Sequence, residues 1–535
     1  MSTPQASNDA TSAPGAPAHG GSSPHAAGHG ASAAEAAPGA GATTIGTSAA
    51  QADEAAKPAS PSVARNARWL ATAQIAKSVV QLVGLSILSR LLSPTDFGVM
   101  ALATVVTNFA GLLRDMGTGP ALIRSRDMST TLANSVFWVN VTAGSVIALI
   151  VVVFSAPIAH LFNSAALTHV LWGLALIFPI MSIGSAHQAL LERGSQFRTV
   201  ARIDVMSYTT GMCAAIVSAR FGLGLWSLVI QAVVHSTMSS TQFYLASSWT
   251  PSFRWDAKEV RSIFGFSSNL TLSNLVIYLN RNADSMIVGK VLGAIALGPY
   301  SLAFKIMLYP LQSIAFVASK ALYPVLSANQ HDPDKQRTTW LGSVSFVALI
   351  TAPLMGGLVA LRDPFIAVAL GSKWASVAPL LVWLAPVGFV QSVMSTAPAV
   401  FMVKGRTDWL LWLNFGVALL HIACWLVGAR FGLEGIAAGY LVATIISAPI
   451  NLGVTCRLLE LPWYALFRAL RWQVVLGFGV CGVAMLATRV IGPLEWPALV
   501  RLFVAGAFGV AYGLWHVGRF NPEQMFALRR AFRFA

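Results

Sequence analysis

The sequence predicts an all-α, polytopic membrane protein of about 14 transmembrane helices, arranged as two parallel six-helix repeats around a central cavity with two helices appended. Three observations carry this prediction. Hydrophobic residues make up 55% of the 535-residue chain and charged residues only 10%, against roughly a quarter charged in soluble globular domains. Apolar runs recur from Ala67 to Gly518, and at about 20 residues each is long enough to cross a hydrocarbon core of roughly 30 Å as a helix. The chain also repeats itself. Leu92, Gly98 and Leu102 match Leu292, Gly298 and Leu302, and Val217-Ser-Ala-Arg-Phe-Gly-Leu223 recurs as Val427-Gly-Ala-Arg-Phe-Gly-Leu433, differing only at its second position.

Residues 1–64 are mostly Ala, Gly, Ser, Pro, Thr and His, a composition that buries too little apolar surface to offset chain entropy, so a disordered cytoplasmic tail is expected. It has no secretory signal pattern, which leaves the first span to direct insertion. The spans fall at 67–89, 97–118, 134–155, 168–191, 203–220, 224–246, 270–291, 298–321, 340–361, 376–402, 409–429, 433–456, 470–490 and 497–518. The repeat then divides the chain into one six-helix lobe at 65–262, a second at 263–460, and two further helices with a short tail at 461–535.

The net charge of +15 is not a nucleic-acid footprint, because the basic residues are spread over alternate loops rather than clustered on one segment. Arg114, Arg124 and Arg126, then Arg193, Arg198 and Arg202, then Arg254, Lys258 and Arg261 occupy one set of loops, while the intervening loops hold Arg90 and Arg220. By the positive-inside rule both termini are cytoplasmic. The four cysteines, Cys213, Cys424, Cys456 and Cys481, sit in or at the ends of apolar spans without metal-ligand spacing, so neither a disulfide framework nor a metal site is expected.

A group of ordered motifs resembles a known family. They are Leu92-Ser-Pro-Thr-Asp-Phe-Gly98, Ala189-Leu-Leu-Glu-Arg193 with Phe197-Arg198, Phe221-Gly-Leu-Gly-Leu-Trp-Ser227, Asn282-Ala-Asp-Ser-Met-Ile-Val-Gly289, Leu297-Gly-Pro-Tyr-Ser-Leu-Ala303 and Tyr323-Pro324. Over about residues 66–460 the chain is similar to Wzx-type polysaccharide flippases of the colanic-acid type, in the multidrug/oligosaccharidyl-lipid/polysaccharide exporter superfamily. The resemblance implies two lobes with alternating access, a cell inner membrane location, and a cargo of undecaprenyl-pyrophosphate-linked oligosaccharide repeat units flipped from inner to outer leaflet. It further implies no enzyme activity, no cofactor and no nucleic acid, with a polysaccharide polymerase and a chain-length regulator as partners.

Ionisable residues inside a span are costly in lipid and mark functional sites. Lys77 lies mid-span with Gln74, Ser78, Gln81 and Gly84 at helical spacing, a polar stripe. Span 7 repeats the device 200 residues later with Asn274, Tyr278, Arg281 and Ser285, and span 8 carries Lys305, Tyr309 and Gln312 beside Pro310. Lys77, Gln81, Arg281 and Lys305 are therefore the candidate substrate-binding residues, since a pyrophosphate headgroup needs charge-assisted donors. Asp284 is the only acid deep in a span, and is the candidate for ion coupling. The alternative is structural: Arg281 pairs with Asp284 three residues on, and Lys77 and Lys305 pack or snorkel. The histidines are scattered and suggest no role.

No phosphate-binding loop or catalytic triad is visible, so transport draws on an ion gradient or on substrate supply. A cation-drug antiporter of the same superfamily is the nearest rival, but three deep basic residues against one acid favour an anionic cargo. A membrane polysaccharide polymerase would carry a large outward loop, and the outward loops here are short.

Overall fold

The computed structural model describes residues 61–115, 130–256, 275–310 apart from 276, 277 and 280, 316–492 and 496–520. Residues 1–60, where a disordered tail was expected, 116–129 and 257–274, which include Asn274, and Gln312 lie outside the described residues. In chain order the helices are α1 (Pro61–Leu91), α2 (Pro94–Asp115), α3 (Thr130–Leu161), α4 (Ala166–Ala175), α5 (Ile177–Arg193), α6 (Phe197–Arg220) and α7 (Trp226–Ala246). They continue as α8 (281–291), α9 (Gly293–Pro310), α10 (Phe316–Ala328), α11 (Pro333–Ala360), α12 (Arg362–Ala369), α13 (Val377–Met394) and α14 (Ala397–Val403). The last four are α15 (Thr407–Gly428), α16 (Gly432–Leu458), α17 (Trp463–Ile491) and α18 (Ala498–Phe520).

Among the described residues, nine stretches are long and apolar enough to cross a bilayer, and one of them, Thr407–Leu458, contains both α15 and α16. A helix is present at every predicted span, although residues 270–274, 276, 277 and 280 of span 7 are outside the described residues, so the number 14 stays an expectation. Phe478 and Phe431 are each 77% exposed and Trp412 72%. Water would not tolerate so much contiguous apolar surface, whereas lipid tails would. The chain is a multi-pass membrane protein.

Local sequence explains where key helices begin. Ser93 and Asp96 exchange caps: Ser93 N–H donates to Asp96 Oδ2 at 2.9 Å and Asp96 N–H to Ser93 Oγ at 3.2 Å. Pro94 occupies the first helical position, where a missing N–H costs nothing, and α2 starts there. At α11 the same solution recurs, with Asp332 accepting from Lys335 N–H at 3.0 Å ahead of Pro333. The repeated Phe-Gly-Leu turns are alike in backbone as well as in sequence, since Gly222 has φ of +80° and Gly432 +78°. Both sit in the left-handed region that glycine occupies without a Cβ penalty.

Packing divides the helices into two groups. Within α1–α7, α1 lies on α6, α6 on α7, and α5 on both α3 and α7; within the later helices, α13 lies on α11 and α16, and α17 on α11 and α18. The Gly435–Gly439 spacing serves close approach: an added Cβ at Gly435 would overlap Gly428 O and one at Gly439 would lie 2.5 Å from Cys424 O.

The two groups meet along α2 and α9. Gly98 and Gly298, the repeat-related pair, face each other there. A Cβ added at Gly98 would fall 1.7 Å from Ala294 O, and one at Gly298 2.1 Å from Pro94 O. Around this crossing the end of α1 is tied to the segment after α11. Arg90 Nη2 donates to Val368 O (2.7 Å), Ser89 Oγ to Leu370 O (3.0 Å) and Trp374 Nε1 to Ser89 O (2.8 Å), while the Trp374 ring meets Phe97 edge-on at 5.1 Å. These bonds satisfy carbonyls that helix C-termini leave without partners. Lys290, which stands where Arg90 does in the repeat, donates to Leu161 O at 2.6 Å. Each group thus reaches into the other with a basic residue at the same position of its first helix.

Candidate functional site

The predicted polar stripe on α1 is present but differs in detail. At about 100° per residue, Gln74, Lys77, Ser78 and Gln81 share a face roughly opposite the exposed Val79 and Val83. Gln74 and Gln81 are exposed, so they line space on the side away from that apolar face. Gly84 is not part of the open stripe. It is buried, and an added Cβ would overlap the thioether of Met212 on α6.

Lys77 is neither unpaired nor snorkelling. Its Nζ donates to Asp204 Oδ2 at 3.4 Å, and the two side chains keep 29% and 39% exposure. The expectation that Asp284 is the only acid deep in a span is therefore corrected. Span 5 was expected to start at 203, but α6 starts at Phe197, which puts Asp204 about two turns into the helix. One turn further on, Tyr208 packs edge-on against His235 of α7 with ring centroids 5.8 Å apart. His235 lies within electrostatic reach of both Lys77 and Asp204. These side chains meet because Gly211 admits α7: an added Cβ there would lie 2.8 Å from Gln231 O and 2.9 Å from His235 Cβ.

In the second group, α9 is an inner helix on which Leu297, Tyr300, Leu302, Ala303 and Met307 are all 0% exposed. Lys305 on this helix is nonetheless exposed. Tyr309, one turn on, is within electrostatic reach of Tyr208 in the first group. Lys77, Asp204 and Tyr208 thus lie together in the first group, with Tyr309 of the second near them. Arg281 of α8 is exposed, and among the described residues it has no carboxylate partner.

The Arg281–Asp284 pair considered from sequence is not formed. Asp284 is 2% exposed, accepting from Tyr300 Oη at 3.0 Å and from Ser285 N–H at 2.7 Å. A stack continues from Tyr300 to Phe304 (6.1 Å) and Tyr440 (6.0 Å), whose hydroxyl accepts from Gln391 Nε2 at 2.8 Å. His421 packs edge-on against Tyr440 at 5.2 Å. Asp284 belongs to this network of polar and aromatic groups and, among the described residues, forms no ion pair with a cation. Tyr278 of the predicted span 7 stripe instead joins the groups, its hydroxyl donating to Val105 O of α2 at 2.9 Å beside Asn108.

Sequence reading missed Asp204, Tyr208 and His235. The signal available was the i, i+4 spacing of Asp204 and Tyr208, with Lys77 lacking an acid on its own helix. Among the described residues no group of three His, Cys, Asp or Glu could hold a metal ion.

The comparisons agree with this architecture. Residues 87–379, more than half of the chain, match the family described as polysaccharide biosynthesis protein. The chain is 25% identical over 467 residues to the teichuronic acid biosynthesis protein TuaB of Bacillus subtilis, covering 87% of this chain and 97% of TuaB. It is 26% identical over 392 residues to the lipopolysaccharide biosynthesis protein WzxC of Escherichia coli, covering 72% of this chain and 79% of WzxC. Among solved structures, the lipid II flippase MurJ in an inward closed conformation superposes with a TM-score of 0.67 at 12% identity, over 85% of this chain and 99% of MurJ. An inward-facing multidrug-resistance MATE transporter gives 0.58 at 14% identity, over 73% and 96%. The fold is that of these transporters.

Proposed function

The chain belongs to the polysaccharide biosynthesis protein family, and from that premise we propose that it flips undecaprenyl-pyrophosphate-linked oligosaccharides from the inner to the outer leaflet of the bacterial plasma membrane. The observation that carries the reading is Lys305, a cation exposed on a helix whose Leu297, Tyr300, Leu302, Ala303 and Met307 are fully buried. A charge in that position is costly unless something anionic or aqueous meets it, and a diphosphate headgroup is anionic with many acceptor oxygens. Arg281 offers it a bidentate fork, Lys77 a further cation and Gln81 a neutral donor for phosphate or sugar oxygens. The relatives named for teichuronic acid and lipopolysaccharide biosynthesis support a glycan cargo.

In this reading the two helix groups are six-helix lobes that rock about the α2–α9 crossing, with both termini cytoplasmic. The crossing end then faces outward and is shut, and the cations are approached from the cytoplasmic side, where the cargo is assembled. The protein acts as a carrier without catalysing a covalent step, and hands its cargo to a polymerase and a chain-length regulator. Asp284 is the ion-coupling residue of this reading, supported by its burial and its bond to Tyr300.

Deletion followed by lipid analysis tests the cargo. Lipid-linked oligosaccharides should accumulate on the cytoplasmic leaflet and clear when the wild-type chain is restored. Unchanged leaflet distribution with loss of some other exported compound would overturn the reading.

A further inference from the structure

We propose that Asp204 is a counter-ion that competes with the cargo for Lys77: it neutralises the lysine while the site is empty, yields it when the diphosphate arrives, and reclaims it to expel the cargo. The proposal rests on the diphosphate reading above and adds a residue that neither family likeness nor sequence pattern singled out.

Geometry supports a bond that can be exchanged. The contact is a single long one, Nζ to Oδ2 at 3.4 Å, with both side chains still partly open at 29% and 39%. An ion pair so exposed contributes little to stability, whereas a diphosphate brings several charge-assisted acceptors to the same ammonium. Asp204 also has somewhere to turn once displaced, because His235 is in electrostatic reach of it. The neighbouring acid Glu192 does not substitute for it, since its Oε1 is held by Gln188 Nε2 at 2.8 Å.

The two groups differ here in a way that gives the pair a purpose. Arg281 and Lys305 have no carboxylate partner among the described residues. Three uncompensated cations around one site would hold a diphosphate tightly and release it slowly. One carboxylate tied to the third cation lowers the affinity of the loaded state and repels the bound anion, which favours release after the lobes have turned. Asp204 touches no cargo atom in this scheme and acts through Lys77.

The test uses the purified full-length protein in lipid nanodiscs, with undecaprenyl diphosphate as probe and ligand-dependent thermal stabilisation as readout, together with polymer export in cells. Asp204→Asn should bind the probe about fivefold more tightly, the ratio corresponding to roughly 1 kcal/mol, while export falls at unchanged protein level. Asp204→Glu should restore both. The gain from Asp204→Asn should be smaller when Lys77→Gln is already present, because then only repulsion is relieved. Equal or weaker binding by folded Asp204→Asn, or an equal gain with and without Lys77, would overturn the proposal. If Asp204→Asn does not accumulate, the double variant Lys77→Gln/Asp204→Asn, which leaves no unpaired charge, is compared with Lys77→Gln: tighter binding supports the proposal and unchanged binding overturns it. Failure of the wild type to bind undecaprenyl diphosphate would instead strike at the cargo reading itself.

Discussion

Gln81 and Arg281 occupy equivalent positions of the repeat, as do Val105 and Lys305, yet the first member of each pair is uncharged and the second is an exposed cation. The residues that join the groups behave differently. Gly98 meets Gly298, Gly222 and Gly432 adopt the same turn, and Arg90 and Lys290 each donate to a carbonyl of the opposite group. A duplicated chain has to keep its two halves matched where they touch, because a change on one side clashes with the other. Away from those contacts the halves have diverged: Lys77 is paired by Asp204, whereas Arg281 and Lys305 have no carboxylate partner among the described residues.

This comparison can be broken most severely at the crossing. Gly98→Val and Gly298→Val each place side-chain atoms on a facing carbonyl, and each should destabilise the protein by about 3 kcal/mol through overpacking. Membrane protein level and melting temperature in detergent are the readouts. A large loss for one glycine with a neutral result for the other would show that the halves are not matched at this contact.

The cationic wall is tested by Arg281. Because Asp284 is held by Tyr300 rather than by Arg281, removing both charges should not restore what Arg281→Ala destroys, and Arg281→Lys should keep partial export since a point charge survives without the fork. Polymer export normalised to membrane protein level decides this. Full export by the Arg281→Ala/Asp284→Ala variant would revive the structural pairing. Asp284→Asn alone should cost about 1–3 kcal/mol of stability by weakening a buried charge-assisted bond.

A smaller effect sharpens the comparison at the closed end. Arg90→Ala, Trp374→Phe and Lys290→Ala each remove a donor from a helix-end carbonyl, and each should cost about 1 kcal/mol. The loss should be greater for Trp374→Phe, whose bond to Ser89 O is buried, than for the exposed Lys290. Hydrogen exchange at residues 89–98 would report it as faster opening, and no change in exchange for any of the three would remove these bonds from the account of closure.

Much of the fold was legible in the sequence because lipid is an uncompromising solvent: spans must be long and apolar, and the Ser93-Pro94-Thr95-Asp96 cap and the Phe-Gly-Leu turns state their geometry locally. The repeat even identified the glycine pair at the crossing. Site residues were less legible. Spacing along one helix offered Lys77, Gln81, Arg281 and Lys305 as candidates, but contacts between helices separated by more than a hundred residues, such as Lys77 with Asp204, leave no local trace. The pairing of Arg281 with Asp284 failed for the same reason. Helical spacing allowed it, and Tyr300, sixteen residues from Asp284 on the next helix, took the carboxylate instead.

The central claim, an anionic lipid-linked cargo moved by cations of the second group, is tested most directly by flipping in proteoliposomes that contain fluorescent undecaprenyl-diphosphate sugar. Wild-type protein should expose the label to a membrane-impermeant quencher over time, and Lys305→Gln should slow this at least tenfold at equal reconstitution, a difference of roughly 1.4 kcal/mol in the barrier. Wild-type rates in the Lys305→Gln variant would contradict the account.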